Sequence, residues 1–302
     1  MKLVLFDDYK PGLLKGDGVV DISSAVQRVA GRNGQETMEG IITNLDSLRE
    51  GLARLLAEGK VIPLSSVRLR APLPRPSKIL CMIGNYKEGT DRPIQPIDIF
   101  LKSSDSVLDP GGTVVIPPVK ATIFHHEAEL GLVIGRKGKD IKPAQAFDYI
   151  IGYTAFVDVS ARGTGRGNSF SGKSYDTFAP LGPCIATKDE IPDPHKLAVK
   201  LWVGSQIRHD YNTDDMEHQI PEIIEYASSI MTLNPGDLIA CGTNHQGLGP
   251  LQDGETATME VSGIGRFTFK VSDPSKRTWP VGVDVESARA VRERTGAPGA
   301  AR

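Results

Sequence analysis

The chain has 302 residues, 39% of them hydrophobic and 24% charged, with a formal net charge of -2. This suits a soluble globular protein of one large domain, or of one plus a small one. It excludes a whole-chain basic field for nucleic acid, while leaving room for a small anionic substrate held by a few local cations. Cys81, Cys184 and Cys241 are scattered and form no CxxC pair, which argues against a disulfide framework and a zinc–thiolate site. No apolar run approaches membrane-spanning length and Asp7 and Asp8 interrupt the N-terminus, so the expectation is a cytoplasmic protein with no membrane or nucleic-acid partner.

Residues 1–72 read as a small N-terminal α/β domain. Lys2 to Phe6 is a short strand, PGLLKGDG is turn-rich, and Gly18 to Ser23 is a second strand. Leu45, Leu48, Leu52, Leu55 and Leu56 recur at helical spacing between Asn44, a candidate cap, and Gly59. Three prolines in Ala71 to Lys78 mark the boundary. From 73 to 273 the chain is mostly short strands between Gly/Pro turns: Glu129 to Gly135, Tyr149 to Asp158, Lys196 to Gly204, Asp237 to Thr243 and Phe267 to Val271. One helix stands out, with Pro221 in its first turn and Ile223, Ile224, Ala227, Ile230 and Met231 on one face. Helices and strands do not alternate, which disfavours a doubly wound sheet or a TIM barrel and favours a strand-rich α+β roll or barrel. Residues 274–302 read as a charged surface tail.

Glu127 and Glu129 stand two apart at the start of an apolar strand. Period-two geometry puts both on one face with His125, while His126, Ala128, Leu130, Leu132 and Ile134 take the other. Two carboxylates on one face repel unless a cation lies between them, and an all-oxygen ligand set suits magnesium, manganese or calcium rather than zinc. Alone, the pair also fits a solvated strand face. Asp158 strengthens the metal reading, because it ends the apolar strand YIIGYTAFV, where a charge needs a partner or water. After it comes SARGTGRGNSFSGKSYD, a Gly/Ser-rich loop that allows close backbone approach to a ligand. Its Arg162, Arg166 and Lys173 are candidate carboxylate binders, with simple surface solvation favoured for Arg166. Gly167 to Ser174, GNSFSGKS, matches the P-loop spelling, but Pro180 and Pro183 follow and no helix N-terminus is expected to receive phosphate. GTGRG (Gly163 to Gly167) lacks the βαβ frame of a dinucleotide fingerprint.

Four segments, in order, carry a resemblance: FHHEAELGLVIG (Phe124 to Gly135), GYTAFVDVSAR (Gly152 to Arg162), GKSYDTFAPLGPCIAT (Gly172 to Thr187) and TLNPGDLIACGTNHQGLG (Thr232 to Gly249). Together they resemble the fumarylacetoacetate hydrolase superfamily over about Ile79 to Val271, and the opening KLVLFDDYKPGLLKGDGVVDIS resembles the leading domain of many bacterial members. The resemblance implies a β-roll fold and a homodimer. It implies Glu127, Glu129 and Asp158 as ligands of Mg2+ or Mn2+, Lys173 as the active-site lysine, and Arg162 and Thr243 as substrate contacts. The implied substrate is a small 2-oxo acid and the implied activity is cleavage of a C–C bond in an acylpyruvate-like 2,4-dioxo acid. The alternatives are an isomerase, hydratase or decarboxylase on a related 2-oxo acid, or a non-catalytic ligand-binding dimer. Asn85, Tyr86 and Tyr175 are further candidate substrate contacts.

Two departures stand out. Many hydrolytic relatives follow Asn-Tyr with a lid helix carrying a His and, three residues on, a Glu. Here Asn85-Tyr86 is followed by KEGTDRP, without histidine, and Gly89 and Pro93 disfavour a helix. Where many relatives have proline after Gly-Thr, this chain has Asn244-His245-Gln246. Glu88 and His245 are therefore the candidate bases, in addition to Lys173 as a catalytic residue.

Overall fold

The computed structural model describes residues 1–165 and 169–295, with side chains to 290. Arg166, expected on the surface, and parts of the GNSFSGKS and GTGRG stretches fall outside these residues, as does the end of the C-terminal segment.

A twelve-stranded mixed sheet forms the backbone of the molecule. Ten of its strands follow the order Val61–Pro63, Gly18–Asp21, Lys10–Lys15, Lys2–Phe6, Ala179–Thr187, Ile150–Val157, Ala128–Ile134, Leu238–Ala240, Ile79–Met82, Ile99–Lys102. A five-stranded sheet (Gln206–Asn212, Ala198–Val203, Thr256–Val261, Gly265–Ser272, Thr113–Val115) packs on one face, so Leu130, Leu132, Ala155 and Cys184 share a core with Leu201, Met259 and Phe269. Helices Gly34–Thr43 and Leu45–Glu58 cover part of the other face, where Met38, Ile41 and Leu52 join Val133, Phe156 and Ile185. This is a strand-rich α+β fold, with layers that each bury one apolar face.

The predicted strands form, but two local expectations change. PGLLKGDG contributes the strand Lys10–Lys15, and only Gly16 (φ +57) and Asp17 remain as the turn. The Leu45–Glu58 helix forms, yet the Asn44 side chain donates to Gly40 O instead of capping it. The preceding helix, Gly34–Thr43, is capped by Asn33, which accepts from Glu36 N–H. Ala179–Thr187 is a further strand, buried at every position and containing Pro180 and Pro183, and its pairing with Ile150–Val157 shifts register between Tyr153 and Ala155.

The first 72 residues do not form a separate sheet. Lys2–Phe6 pairs with Ala179–Thr187 through Leu3↔Ile185, joining this segment to the central strands. Beyond Asp273 the chain is anchored. Arg277 pairs with Asp273 and donates to Pro117 O and Val119 O, Trp279 Nε1 donates to Thr122 O at 2.6 Å, and a helix runs over Val285–Thr295. All three cysteines are free and buried.

Candidate metal and acid–base centre

The site lies where the paired Ala128–Ile134 and Ile150–Val157 strands end. Their register places Ala128 opposite Val157, and Asp158 N–H donates to Glu127 O at 2.8 Å, so Glu127 and Asp158 face each other one step beyond. Glu129 follows on the same face. A ligand oxygen from each of Glu127, Glu129 and Asp158 lies within 4.8 Å of the others, and all three residues are buried.

Cations surround this cluster. Lys173 Nζ bridges Glu127 Oε2 at 2.5 Å and Asp158 Oδ2 at 2.7 Å. Lys102 Nζ, whose side chain is fully buried, donates to Asp158 Oδ1 at 2.7 Å and to the Lys173 carbonyl. Arg162 Nη2 pairs with Glu127 Oε1, and its Nε donates to His125 Nδ1 at 3.2 Å. Burial pulls the Lys173 ammonium down, but Asp158 and Glu127 outweigh it and raise the group above its ordinary value. Burial opposes the charge on Glu127, yet Lys173 and Arg162 hold it well below the usual carboxylate range. Glu129 is pushed well up, first by burial and then by Asp158 and Glu127. Its Oε2 accepts from Gly242 N–H at 2.7 Å.

This donor set fits a hard divalent cation: three buried carboxylates, oxygen donors only, and one of them left short of positive charge by its two neighbours. A divalent ion held there would lie among Glu127, Glu129 and Asp158, and Lys173 is already drawn to oxygens of Glu127 and Asp158.

Beside the carboxylates stands a second pair. His245 Nδ1 lies 2.5 Å from Glu88 Oε1, and the same oxygen accepts from His245 N–H at 2.9 Å. Glu88 comes from the turn after Tyr86 and His245 from the short 3-10 turn His245–Gly247, which Asn244 caps by accepting from Gln246 N–H. Gln246 Nε2 donates back to Glu88 O. Glu88 has φ +57, a left-handed backbone costing about 1–2 kcal/mol for a non-glycine residue. Its buried Oε2 has no hydrogen-bond partner among the described residues. Gly242, whose N–H donates to Glu129 Oε2, lies three residues before His245, so the pair adjoins the carboxylate cluster.

Tyr86 and Thr243 also belong to this wall. The Tyr86 hydroxyl and Thr243 Oγ1 are buried and lie near the Tyr211 hydroxyl, with no well-formed hydrogen bond among the described residues, and the Tyr86 ring meets Tyr211 edge-on at 4.9 Å. Asn85 is placed differently. Its amide donates to Cys241 O at 2.9 Å and accepts from His218 N–H at 2.9 Å, which pins two loops together. The Tyr175 ring packs against Phe178, at 5.2 Å. The loop after Tyr86 contains no helix, as Gly89 and Pro93 suggested; the buried pair of Arg92 with Glu217 fastens it. The described part of GNSFSGKS is the five-residue helix Ser169–Lys173, which ends at the lysine instead of beginning after it, so it lacks P-loop geometry.

Sequence reasoning missed Lys102, because a lysine in FLK on a short strand looks like a solvated residue. It named Glu88 and His245 as separate candidates without joining them.

Among the described residues no helix is long and apolar enough to cross a membrane. The family model described as "Fumarylacetoacetate (FAA) hydrolase C-terminal" matches residues 78–272. Maleylpyruvate hydrolase of Aquipseudomonas alcaligenes is 30% identical over 90% of this chain and 99% of its own. A mitochondrial oxaloacetate tautomerase of Bos taurus is 34% identical over 85% of this chain and 84% of its own. The crystal structure of maleylpyruvate hydrolase from Sphingobium sp. SYK-6, with manganese and pyruvate, superposes with a TM-score of 0.82 at 34% identity over 90% of this chain and 99% of that one.

Proposed function

The chain belongs to the fumarylacetoacetate hydrolase family and is an enzyme of the hydrolase, isomerase and lyase type found there; from that premise we propose that it hydrolyses a C–C bond in an acylpyruvate-like 2,4-dioxo acid. The observation that supports this reading is the Glu88–His245 pair beside the carboxylate triad. Hydrolysis needs a base for water, and the pair supplies one from loops other than the expected lid helix.

Glu127, Glu129 and Asp158 would hold Mg2+ or Mn2+, which when bound would supply Lewis-acid polarisation of the 2-oxo group. Arg162, Thr243 Oγ1 and the Tyr86 hydroxyl bind and orient the substrate carboxylate, while Asn85 and Tyr175 act by positioning the loops that carry these groups. Glu88 holds His245 through Nδ1, leaving Nε2 to take the proton of water. The hydroxide adds to the 4-carbonyl, the C3–C4 bond breaks, and its electron pair goes to C3. Lys173 stabilises the negative charge that develops there, and C3 is then protonated to give pyruvate, with the acyl group released as a carboxylic acid. We expect a homodimer working in the cytoplasm.

A second reading has support in the oxaloacetate tautomerase relative: keto–enol exchange of a 2-oxo acid on the same site. The test is product analysis on a panel of 2,4-dioxo acids and oxaloacetate, with and without EDTA. Metal-dependent release of pyruvate and an acid is expected. Loss of enol absorbance without pyruvate would favour the tautomerase, carbon dioxide release a decarboxylase, and metal-supported binding with no turnover a non-catalytic protein.

A further inference from the structure

Asp284 lies outside the matched family segment, on the strap that follows Trp279. Its Oδ2 is 3.0 Å from His125 Nε2, and its Oδ1 accepts from Ser287 N–H at 2.9 Å at the start of the C-terminal helix. Its own N–H donates to Leu248 O at 2.8 Å, the residue that closes the His245 turn. One residue thus touches the wall beside Glu127, the turn carrying His245 and the head of a helix.

The donors and acceptors admit one arrangement. Arg162 Nε always carries a proton, so at 3.2 Å it must donate to His125 Nδ1. With Nδ1 accepting, the ring proton sits on Nε2 and is donated to the Asp284 carboxylate. Arg162 then presents Nη2 to Glu127. His125 is fully buried, so neither bond is replaced by water at low cost.

We propose that Asp284 is a positioning residue: it fixes His125 as the Nε2–H tautomer, and His125 in turn holds the Arg162 guanidinium toward Glu127 and the substrate carboxylate. The substrate part of this proposal rests on the function proposed above. The tautomer part does not.

The test compares Asp284→Asn with Asp284→Ala in the full chain, by nitrogen NMR of histidine-labelled protein and by steady-state kinetics on an acylpyruvate. In Asp284→Asn the amide oxygen keeps the Ser287 cap and the amide N–H faces His125 Nε2. His125 then becomes the Nδ1–H tautomer and confronts the Arg162 Nε–H donor. KM is expected to rise about tenfold or more, the loss of a charge-assisted hydrogen bond, with kcat changed by less than about threefold and thermal stability held near wild type. Asp284→Ala loses the cap as well and melts lower. Wild-type tautomer and KM in Asp284→Asn overturn the proposal. So does a drop in melting temperature with tautomer and KM intact, which would make Asp284 a helix cap only. If the wild type turns over no 2,4-dioxo acid, the proposed function fails, while the His125 tautomer still decides the role of Asp284.

Discussion

Glu88→Gln is the sharpest probe of the acid–base pair. In the wild type one oxygen, Oε1, accepts both from His245 N–H and at the His245 ring, whereas Oε2 has no partner. A glutamine can place its oxygen at Oε1 and its NH2 at the unpartnered corner, so both contacts survive and only the negative charge is lost. That charge matters when His245 becomes an imidazolium on taking the proton of water. A unit charge pair about 4 Å apart at an effective dielectric near 20 is worth about 4 kcal/mol, or roughly 10³-fold in rate, within the range expected of general base catalysis. We expect kcat for pyruvate release, followed by coupling to lactate dehydrogenase, to fall by about 10³ with KM within about threefold. Mn2+ affinity should be unchanged, since neither residue is a proposed ligand. His245→Ala should fall at least as far, and the double variant should be no worse than the single ones. A Glu88→Gln enzyme within threefold of wild type would refute the assignment of the base, and a large KM effect with normal kcat would make the pair a substrate contact.

Three further perturbations address the rest of the site. Glu127→Gln, Glu129→Gln and Asp158→Asn should each remove Mn2+ binding, measured by calorimetry, while leaving the circular dichroism spectrum intact; retained affinity in all three would sink the metal centre. Lys102→Met leaves Asp158 Oδ1 buried without its donor while Lys173 still pairs with Oδ2, and should cost about 1–3 kcal/mol in the metal-free protein, read as a lower urea midpoint. His209 is buried and its Nε2 lies 3.2 Å from His126 O; burial holds its imidazole down to about 4 from 6.5. A depressed histidine binds more protons unfolded than folded. Its contribution is therefore whole above pH 6.5, falls as pH drops toward 4, and amounts to about 3 kcal/mol over that window. In urea titrations at a series of pH values, His209→Gln should flatten this acid-side loss, and an unchanged slope would show that His209 is not its source.

The metal half of the site was legible because it is local. Glu127 and Glu129 share a strand face by simple alternation, and Asp158 ends the neighbouring strand, so hairpin register brings all three together. The acid–base half is nonlocal. Glu88 and His245 are separated by 157 positions, and neither loop has a periodicity that reports its partner. Only the absence of a lid histidine and the unexpected Asn-His-Gln pointed toward them. Lys102 and Asp284 were illegible for a related reason: a single charge in a short strand or a C-terminal segment looks like a solvated residue until the partner it covers is known. Pro180 and Pro183 excluded a helix after Ser174, but the strand they lie in, Ala179–Thr187, is buried on both faces and so has no alternation to announce it.

The pairing of Lys2–Phe6 with Ala179–Thr187 also bears on how the protein can be divided. The matched family segment, 78–272, suggests a natural unit for dissection. Cutting there would strip Leu3 from Ile185 and uncover part of a nine-residue strand that is buried at every position. The apolar side chains of Phe156 and Ile185 would lose the cover of Met38 and Leu52. An open, flat, hydrophobic strand edge is a template for self-association, so the excised fragment should form oligomers or precipitate however sound its active site.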